Sequence, residues 1–468
     1  MIAASFRPLL RAAPLALVAV LSAGVAGAQE ADPAHLSLVA GYKAAFTCSA
    51  HFNAGRSVDA IARDELSNIY AGYRAAMAAL PAARIDEKNK IVSVAYAEGF
   101  PPRIAAWRPL LGCAQLPSGA DASLAERLPR LSLDRPRKNS RAEWPAGEKV
   151  AIDPDPALDA VVAAAFDRAS YGEKTETTAV VVVKDGRIVA EKYRDGFGPD
   201  IPQRTWSVAK SIAATIIGAA AHQGLIAPDE PAGLAQWSAP GDPRAAITIE
   251  NLLHMSSGLT SPTAGNRTDD VYFGGGRVVD HAIANRLVAA PGTRWRYANN
   301  DTMAAIRALR ERIGDDEAFR RFPFEALLFP LGMNRTFLET DWNGDFVLSS
   351  QVWTTARDLA RLGLLYLNDG VWNGARILPE DWAAYVATPA PAQPPEGRPG
   401  YGAQFWLFGP RRGLPEGSFA AMGNRGQYVM IVPERNVVIV RRGFDESPTV
   451  SFDIARFSAD VLAALAAR

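Results

Sequence analysis

A serine and a lysine three positions apart have the clearest chemical potential in this sequence. Ser207 and Lys210 lie in the segment Thr205-Trp-Ser-Val-Ala-Lys-Ser-Ile, at the start of a strongly apolar run that is typical of a buried helix. Residues three apart share a helix face, so the amine can reach the hydroxyl. A helix N-terminus also offers backbone N–H groups to an oxyanion. The pair predicts a nucleophile, Ser207, beside a lysine whose pKa burial would lower. A capping serine with a solvated lysine is the alternative.

A second candidate group follows a Pro-Gly-Thr turn, in the segment Arg-Tyr-Ala-Asn-Asn-Asp at 296–301. A tyrosine beside a lysine ammonium would be favoured as phenolate, so Tyr297 could take the serine proton and return it to a leaving group. Asn299 can both donate to and accept from a substrate amide. The same spacing recurs at Tyr366 and Asn368, but there it ends an amphipathic helix, and we discount it.

A third segment, Met-Gly-Asn-Arg-Gly-Gln at 422–427, directly precedes an apolar strand. Its glycines would let a substrate lie against the strand edge and accept a backbone hydrogen bond. Asn424, Arg425 and Gly426 are therefore candidate substrate-binding residues. An ordinary turn from loop to strand is the alternative.

Other catalytic and binding classes lack their patterns here. The sequence has no G-x-S-x-G nucleophile turn, and its five histidines show no metal-ligand spacing. Lys+Arg and Asp+Glu both number 50, so overall charge gives no reason to expect a nucleic acid partner. We expect a small-molecule substrate and neither a metal nor another cofactor.

The elements that must position these residues form an α+β plan. Strands predicted from both ends of the domain would build one sheet, flanked by terminal helices, with a long helical insertion between them. The predicted helices span 155–169 and 450–467, and the predicted strands span 178–183, 187–193, 401–408, 427–432 and 437–442.

The chain before this domain divides into three parts. Residues 1–28 have the pattern of an export signal, because basic residues precede an apolar stretch that ends in a small-residue cleavage site. We expect a periplasmic or secreted protein with no stable membrane anchor after cleavage; an uncleaved anchor is the alternative. Residues 29–131 are predicted to be a mostly helical extension, 132–152 a linker, and 153–468 the main domain.

Two cysteines, Cys48 and Cys113, are present, and both lie in the extension. In an exported protein an even pair of this kind suggests one disulfide. Two unpaired buried thiols are the alternative.

The three motifs together resemble the serine β-lactamase and penicillin-binding-protein superfamily, most closely its class C-like and esterase-like members, which include 6-aminohexanoate-dimer hydrolases. Residues 207–210 match the S-x-x-K motif, 297–299 match Y-x-N, and 424–426 stand where relatives carry K-T-G. The segment 252–259 is similar to a structural signature of the group. The resemblance implies a sheet domain and a helical domain with the site between them. It also implies an oxyanion hole formed by the backbone N–H groups of Ser207 and Gln427.

Two departures from the family pattern narrow this interpretation. Position 424 is Asn rather than Lys, so the cation that binds a substrate carboxylate is missing unless Arg425 supplies it. The sequence also has no S-D-N motif, which argues against a class A enzyme.

We expect an exported serine hydrolase that cleaves a small amide or ester through an acyl-enzyme on Ser207. Lys210 and Tyr297 would share proton transfer, and which of them is the base stays open because a coupled pair titrates as a unit. The alternatives are a sensor or binding protein with little turnover, and a D,D-peptidase or β-lactamase.

Overall fold

The computed structural model describes residues 32–137, 139–261, 272–446 and 448–467. The predicted export signal, residues 1–28, lies outside these ranges. No helix within them is both long and apolar enough to span a bilayer.

The strands, in chain order, are β1 (Arg84–Asp86), β2 (Ile91–Val94), β3 (Arg103–Arg108), β4 (Gly112–Gln115), β5 (Thr177–Lys184), β6 (Arg187–Tyr193), β7 (Gln203–Arg204), β8 (Phe337–Leu338), β9 (Val352–Thr354), β10 (Val371–Trp372), β11 (Ala375–Arg376), β12 (Gly400–Tyr401), β13 (Trp406–Leu407), β14 (Phe419–Gly423), β15 (Gln427–Val432) and β16 (Val437–Gly443). The α-helices are α1 (Pro33–Phe52), α2 (Val58–Asp64), α3 (Ala71–Ala79), α4 (Pro156–Ala164), α5 (Val208–His222), α6 (Ile249–Leu253), α7 (Val278–Ile283), α8 (Asn299–Ile313), α9 (Asp316–Pro323), α10 (Ala356–Leu367), α11 (Trp382–Ala387) and α12 (Ile454–Ala466).

One antiparallel seven-stranded sheet organises the main domain, in the order β12-β13-β14-β15-β16-β5-β6. The early and late parts of the domain meet where β16 pairs with β5, with Val440 opposite Val181. The predicted sheet built from both ends of the domain is confirmed. The single strand predicted over 401–408 is wrong, because this segment is the short hairpin β12–β13.

Helices cover both faces of the sheet, and successive side chains of each strand alternate between the two faces. Val181 and Val440 pack into a core with α5 and α10. Val182 and Ile439 pack into a second core with α4 and α12. Both faces therefore demand apolar residues, which is why β5, β15 and β16 each contain an uninterrupted run of four Val, Ile or Met residues.

The sequence predicted a mostly helical N-terminal extension, but helices account for only part of it. It pairs α1, α2 and α3 with a four-stranded antiparallel sheet in the order β1-β2-β3-β4. The strand β3 contains an Ala-Ala pair and is buried at five of its six positions, so it lacks the alternation that reveals a strand. The disulfide Cys48–Cys113 joins α1 to β4, with its Cα atoms 6.2 Å apart.

The predicted linker is held firmly against the main domain. Trp144 is 6% exposed and belongs to the main core. The Arg361 guanidinium, on α10, donates to the carbonyl oxygens of Pro145 and Gly147 and to the Glu148 carboxylate. This segment therefore fixes how the extension approaches the sheet.

Removing the disulfide should destabilise the extension. The bond closes a loop with a sequence separation of 65 residues, so the double variant Cys48→Ala, Cys113→Ala should lose up to roughly 4 kcal/mol on the chain-entropy model. Thermal unfolding of the oxidised, reduced and double-variant proteins tests this. Identical unfolding curves for the oxidised protein and the double variant would contradict it.

Candidate active site

Ser207 stands at the N-terminal end of α5, directly after a fixed strand. It occupies the N-cap position of the helix without forming a side-chain capping bond, and the strand β7 before it pairs with β9. Two residues lie between β7 and Ser207, and the second of them, Trp206, has φ +51°, a left-handed conformation that is rare for a bulky side chain. The Arg442 guanidinium donates to the carbonyl oxygens of Gln203 and Arg204 and so clamps β7 from below. Strand and helix together aim the serine hydroxyl.

Lys210 is buried at 1% exposure and has three hydrogen-bond partners. Its Nζ lies 3.2 Å from Ser207 Oγ, 2.6 Å from Asn299 Oδ1 and 2.7 Å from the Ser349 carbonyl oxygen. Burial lowers the pKa of this amine to about 7. A neutral amine has two N–H donors and one lone pair. The two oxygens of Asn299 and Ser349 take the donors, which leaves the lone pair for the serine hydroxyl.

Tyr297 is the second predicted partner of the nucleophile. A hydrogen bond joins its hydroxyl group to Ser207, and Lys210 Nζ is 5.0 Å from its ring centroid. Burial raises the pKa of Tyr297 above its ordinary value, and this effect exceeds the opposing one of the serine hydrogen bond. The predicted preference for phenolate is therefore wrong in this state. At neutral pH the side chain is a phenol.

The segment 252–259, singled out in the sequence as a structural signature, holds the Tyr297 region in place. The Met255 carbonyl oxygen accepts from Arg296 N at 2.7 Å, and its sulfur lies 3.3 Å from Ala298 N. Gln404 ties the same segment down through bonds to the carbonyl oxygens of residues 252 and 253. The signature is thus a support for the tyrosine.

Asn299 lines the cavity, but its first partner is inside the protein. Its Oδ1 accepts the 2.6 Å bond from Lys210. Of the predicted role in binding a substrate amide, only donation from the Asn299 side-chain nitrogen therefore remains.

The third predicted motif is the tip of the β14–β15 hairpin, and only part of it faces the cavity. Asn424 lines the cavity, whereas Arg425 is 4% exposed and donates to the carbonyl oxygens of Ser67 and Phe444. Arg425 therefore does not replace the missing lysine. Gly426 has φ +78° and closes the turn, so it shapes the hairpin rather than the substrate surface.

Gln427 does not occupy the predicted place in the oxyanion hole. It lies in β15, opposite Gly423 of β14, one strand farther from the nucleophile. Its side chain donates to the Gly443 carbonyl oxygen and accepts from Arg442, so it supports the clamp on β7. Sequence order alone could not show whether β14 or β15 lies closer to the nucleophile.

Gly423 is the residue that approaches the nucleophile. A Cβ atom added there would lie 2.4 Å from the Thr205 carbonyl oxygen and 3.1 Å from Ser207 N. The absence of a side chain lets the end of β14 lie against the first turn of α5. The neighbouring residue, Asn424, lines the same cavity as Ser207.

These groups open into a cavity of about 480 Å³ with aromatic walls. Tyr272, Phe273, Tyr297, Trp406 and Tyr428 contribute rings from the main domain, and Tyr70 contributes one from the extension. Sequence reasoning missed Ser349 and Tyr70, because only the fold brings a distant carbonyl oxygen and a separate region of the chain to this point.

Comparison with known proteins agrees with this geometry. The family model described as Beta-lactamase matches residues 162–442, which is more than half of the chain. The chain belongs to the beta-lactamase family. The matched range contains Ser207, Lys210 and Tyr297, whereas the N-terminal extension lies before it.

Individual relatives within this family are distant. The 6-aminohexanoate-dimer hydrolase of Paenarthrobacter ureafaciens is 27% identical over 348 residues, which cover 69% of this chain and 84% of that protein. The solved structure of a putative 6-aminohexanoate-dimer hydrolase from Bacillus anthracis is 25% identical with a TM-score of 0.52, and the match covers 62% of this chain and 79% of that one. A putative beta-lactamase from Bacteroides dorei shares the fold at 22% identity, with a TM-score of 0.55 over 68% of this chain and 100% of that one.

Gly423→Ala should impair this member of the beta-lactamase family by moving the nucleophile. The new Cβ would meet backbone atoms of β7 and α5, and a misplacement on the order of 1 Å costs about a hundredfold in rate. The labelling rate of the serine with a fluorophosphonate measures this effect. Gly198→Ala is the matched control, because a Cβ there meets no atom within 4 Å. Equal rates in the two variants would contradict the packing role of Gly423.

Proposed function

We propose that this protein is a serine hydrolase that cleaves a small amide or ester through an acyl-enzyme on Ser207. The observation that carries the proposal is the buried Lys210 amine, 3.2 Å from Ser207 Oγ and with a pKa of about 7. An amine with this pKa is available as a base at neutral pH, and a general base is most effective when its pKa lies near the operating pH.

In the acylation step, the Ser207 hydroxyl gives its proton to the neutral Lys210 as Oγ attacks the substrate carbonyl carbon. The oxyanion would be stabilised by the N–H of Ser207 and that of Asn424, which follows the glycine packed against the nucleophile. Tyr297, still a phenol, donates its proton to the leaving amine or alcohol, and the proton on Lys210 restores the phenol. Water then attacks the acyl-enzyme while the proton transfers run in the reverse direction, so that Ser207 regains its proton and the acid is released.

The substrate class follows from the family and the cavity. The relative from Paenarthrobacter ureafaciens is named for a linear 6-aminohexanoate dimer, so short linear amides are the first candidates. The cavity of about 480 Å³ suits a molecule of that size. The third motif supplies no cation for the carboxylate of a D-amino peptide or β-lactam, because residue 424 is not a lysine and Arg425 points away.

We also propose that the protein acts in the periplasm or outside the cell. The export pattern of residues 1–28 and the Cys48–Cys113 disulfide support this location, because disulfides persist in oxidising compartments.

The pH dependence of acylation should follow Lys210. Below about pH 7 the amine is protonated and cannot accept the serine proton, so the rate should fall about tenfold per pH unit; above it the rate should level off. Single-turnover acylation by a p-nitrophenyl ester measures the profile. Tyr297→Phe should keep this acid limb at a lower rate, whereas Lys210→Met should abolish acylation. An acid limb that disappears in Tyr297→Phe would make the tyrosine the base.

The nucleophile itself can be identified by intact-mass spectrometry with a fluorophosphonate. The wild-type protein should gain one adduct, Ser207→Ala should gain none, and the control Ser238→Ala, which changes an exposed serine, should react normally. A panel of p-nitrophenyl esters, nitrocefin and linear amides then measures turnover. A stoichiometric burst without turnover would instead indicate the sensor alternative. An adduct on Ser207→Ala would contradict the assignment.

A further inference from the structure

The active-site cavity has a strongly one-sided charge. Its lining contains three arginines, Arg204, Arg296 and Arg398, and no aspartate or glutamate among the described residues. Walls of low polarity strengthen the field of such charges inside a cavity. The cavity is therefore suited to a substrate that carries a negative charge.

Arg204 is the arginine best built for binding an anion. It is 3% exposed, and its guanidinium packs against the rings of Phe46 and Trp206, with Cζ 4.2 Å and 4.0 Å from their centroids. Nε and Nη2 donate to the carbonyl and hydroxyl oxygens of Ser350. Nη1 is buried and has no hydrogen-bond partner among the residues that the structure describes. The stacking and the two bonds fix the plane of the fork, so the remaining donor is held in one direction.

Some buried arginines in this chain pair with carboxylates, whereas others, such as Arg103 and Arg442, bind only carbonyl, hydroxyl or amide oxygens among the described residues. Arg441 pairs with Asp445 at 2.8 Å, and Arg357 pairs with Glu191 at 2.6 Å. Among the described residues Arg204 forms no such ion pair. The buried carboxylates of Glu339 and Glu65 act on Arg204 only from beyond ion-pair distance, so a carboxylate from the substrate would give its guanidinium a direct partner.

We propose that Arg204 is a specificity-determining residue that binds a carboxylate of the substrate, so that the preferred substrate is a linear amide or ester with a free carboxylate. This inference rests on the proposed function of the same site. It places the anion-binding cation on β7, three residues before the nucleophile, instead of in the third motif, where position 424 is Asn and Arg425 is turned away.

The N-terminal extension completes this subsite. Phe46, on α1, covers one face of the Arg204 guanidinium, and Tyr70 lines the same cavity. The extension lies before the range matched by the family model. The extension therefore supplies rings that pack against Arg204 and line its cavity, although the arginine itself lies within the matched range.

Two matched substrate pairs test the proposal on either side of the scissile bond. The first pair is the mono-p-nitrophenyl ester of adipic acid and the corresponding ester of adipamic acid. The second is N-hexanoyl-6-aminohexanoate and its terminal carboxamide. In at least one pair the wild-type protein should prefer the carboxylate by roughly ten- to a hundredfold in kcat/KM, mainly through KM. No preference in either pair would overturn the proposal, while Ser207-dependent turnover of the neutral substrates would leave the hydrolase function intact.

Variants assign the preference to one side chain. Arg204→Met should abolish the preference, Arg204→Lys should restore part of it, and the exposed control Arg187→Met should keep it. Unchanged fluorophosphonate labelling of Arg204→Met would show that the nucleophile is intact. A preference that survives in Arg204→Met, or that is lost instead in Arg296→Met, would overturn the assignment.

A measurement on the wild-type protein covers the case in which Arg204→Met does not fold. Hexanoate should slow fluorophosphonate labelling of Ser207 at concentrations where hexanamide has no effect, and high salt should weaken this protection. Equal protection by the acid and the amide would overturn the proposal.

Discussion

The buried amine of Lys210 imposes the strictest requirement in this structure. An amine taken out of water must find a partner for each of its hydrogen-bonding groups, because an unsatisfied one would cost several kcal/mol in an apolar interior. The partners come from three separate places: Ser207 at the start of α5, Asn299 at the start of α8, and the Ser349 carbonyl oxygen before β9. The same burial that demands these partners lowers the pKa of the amine to about 7. Packing and reactivity thus have one cause.

The surrounding structure serves to keep those partners in position. Arg442 holds the strand that leads to Ser207, and its own orientation depends on Gln427. Met255 holds the backbone on both sides of Tyr297. Gly423 lets the end of β14 approach the nucleophile. These supports act on backbone groups, so the reacting side chains gain fixed directions without losing their contact with the cavity.

The N-terminal extension belongs to the same arrangement. Its aromatic rings pack on the main domain beside the nucleophile, with Phe46 against Trp206 and Tyr42 against Phe273. The disulfide joins α1 to β4 within the extension, and the segment around Trp144 packs into the core of the main domain. The cavity therefore has a wall on a side that the matched family range does not supply, and a substrate must fit between the two regions.

The sequence by itself determined the elements and motifs that depend on local spacing. S-x-x-K at a helix start, Y-x-N after a turn, and the hairpin β5–β6 all follow from periodicity and turn residues within short segments. Only the tertiary structure decided which strand edge faces Ser207, where Arg425 and Gln427 point, and that Ser349, Tyr70 and Arg204 join the site. It also decided that Tyr297 is a phenol, because its pKa depends on burial. Burial and contacts between distant residues are properties of the packed chain, and no local pattern records them.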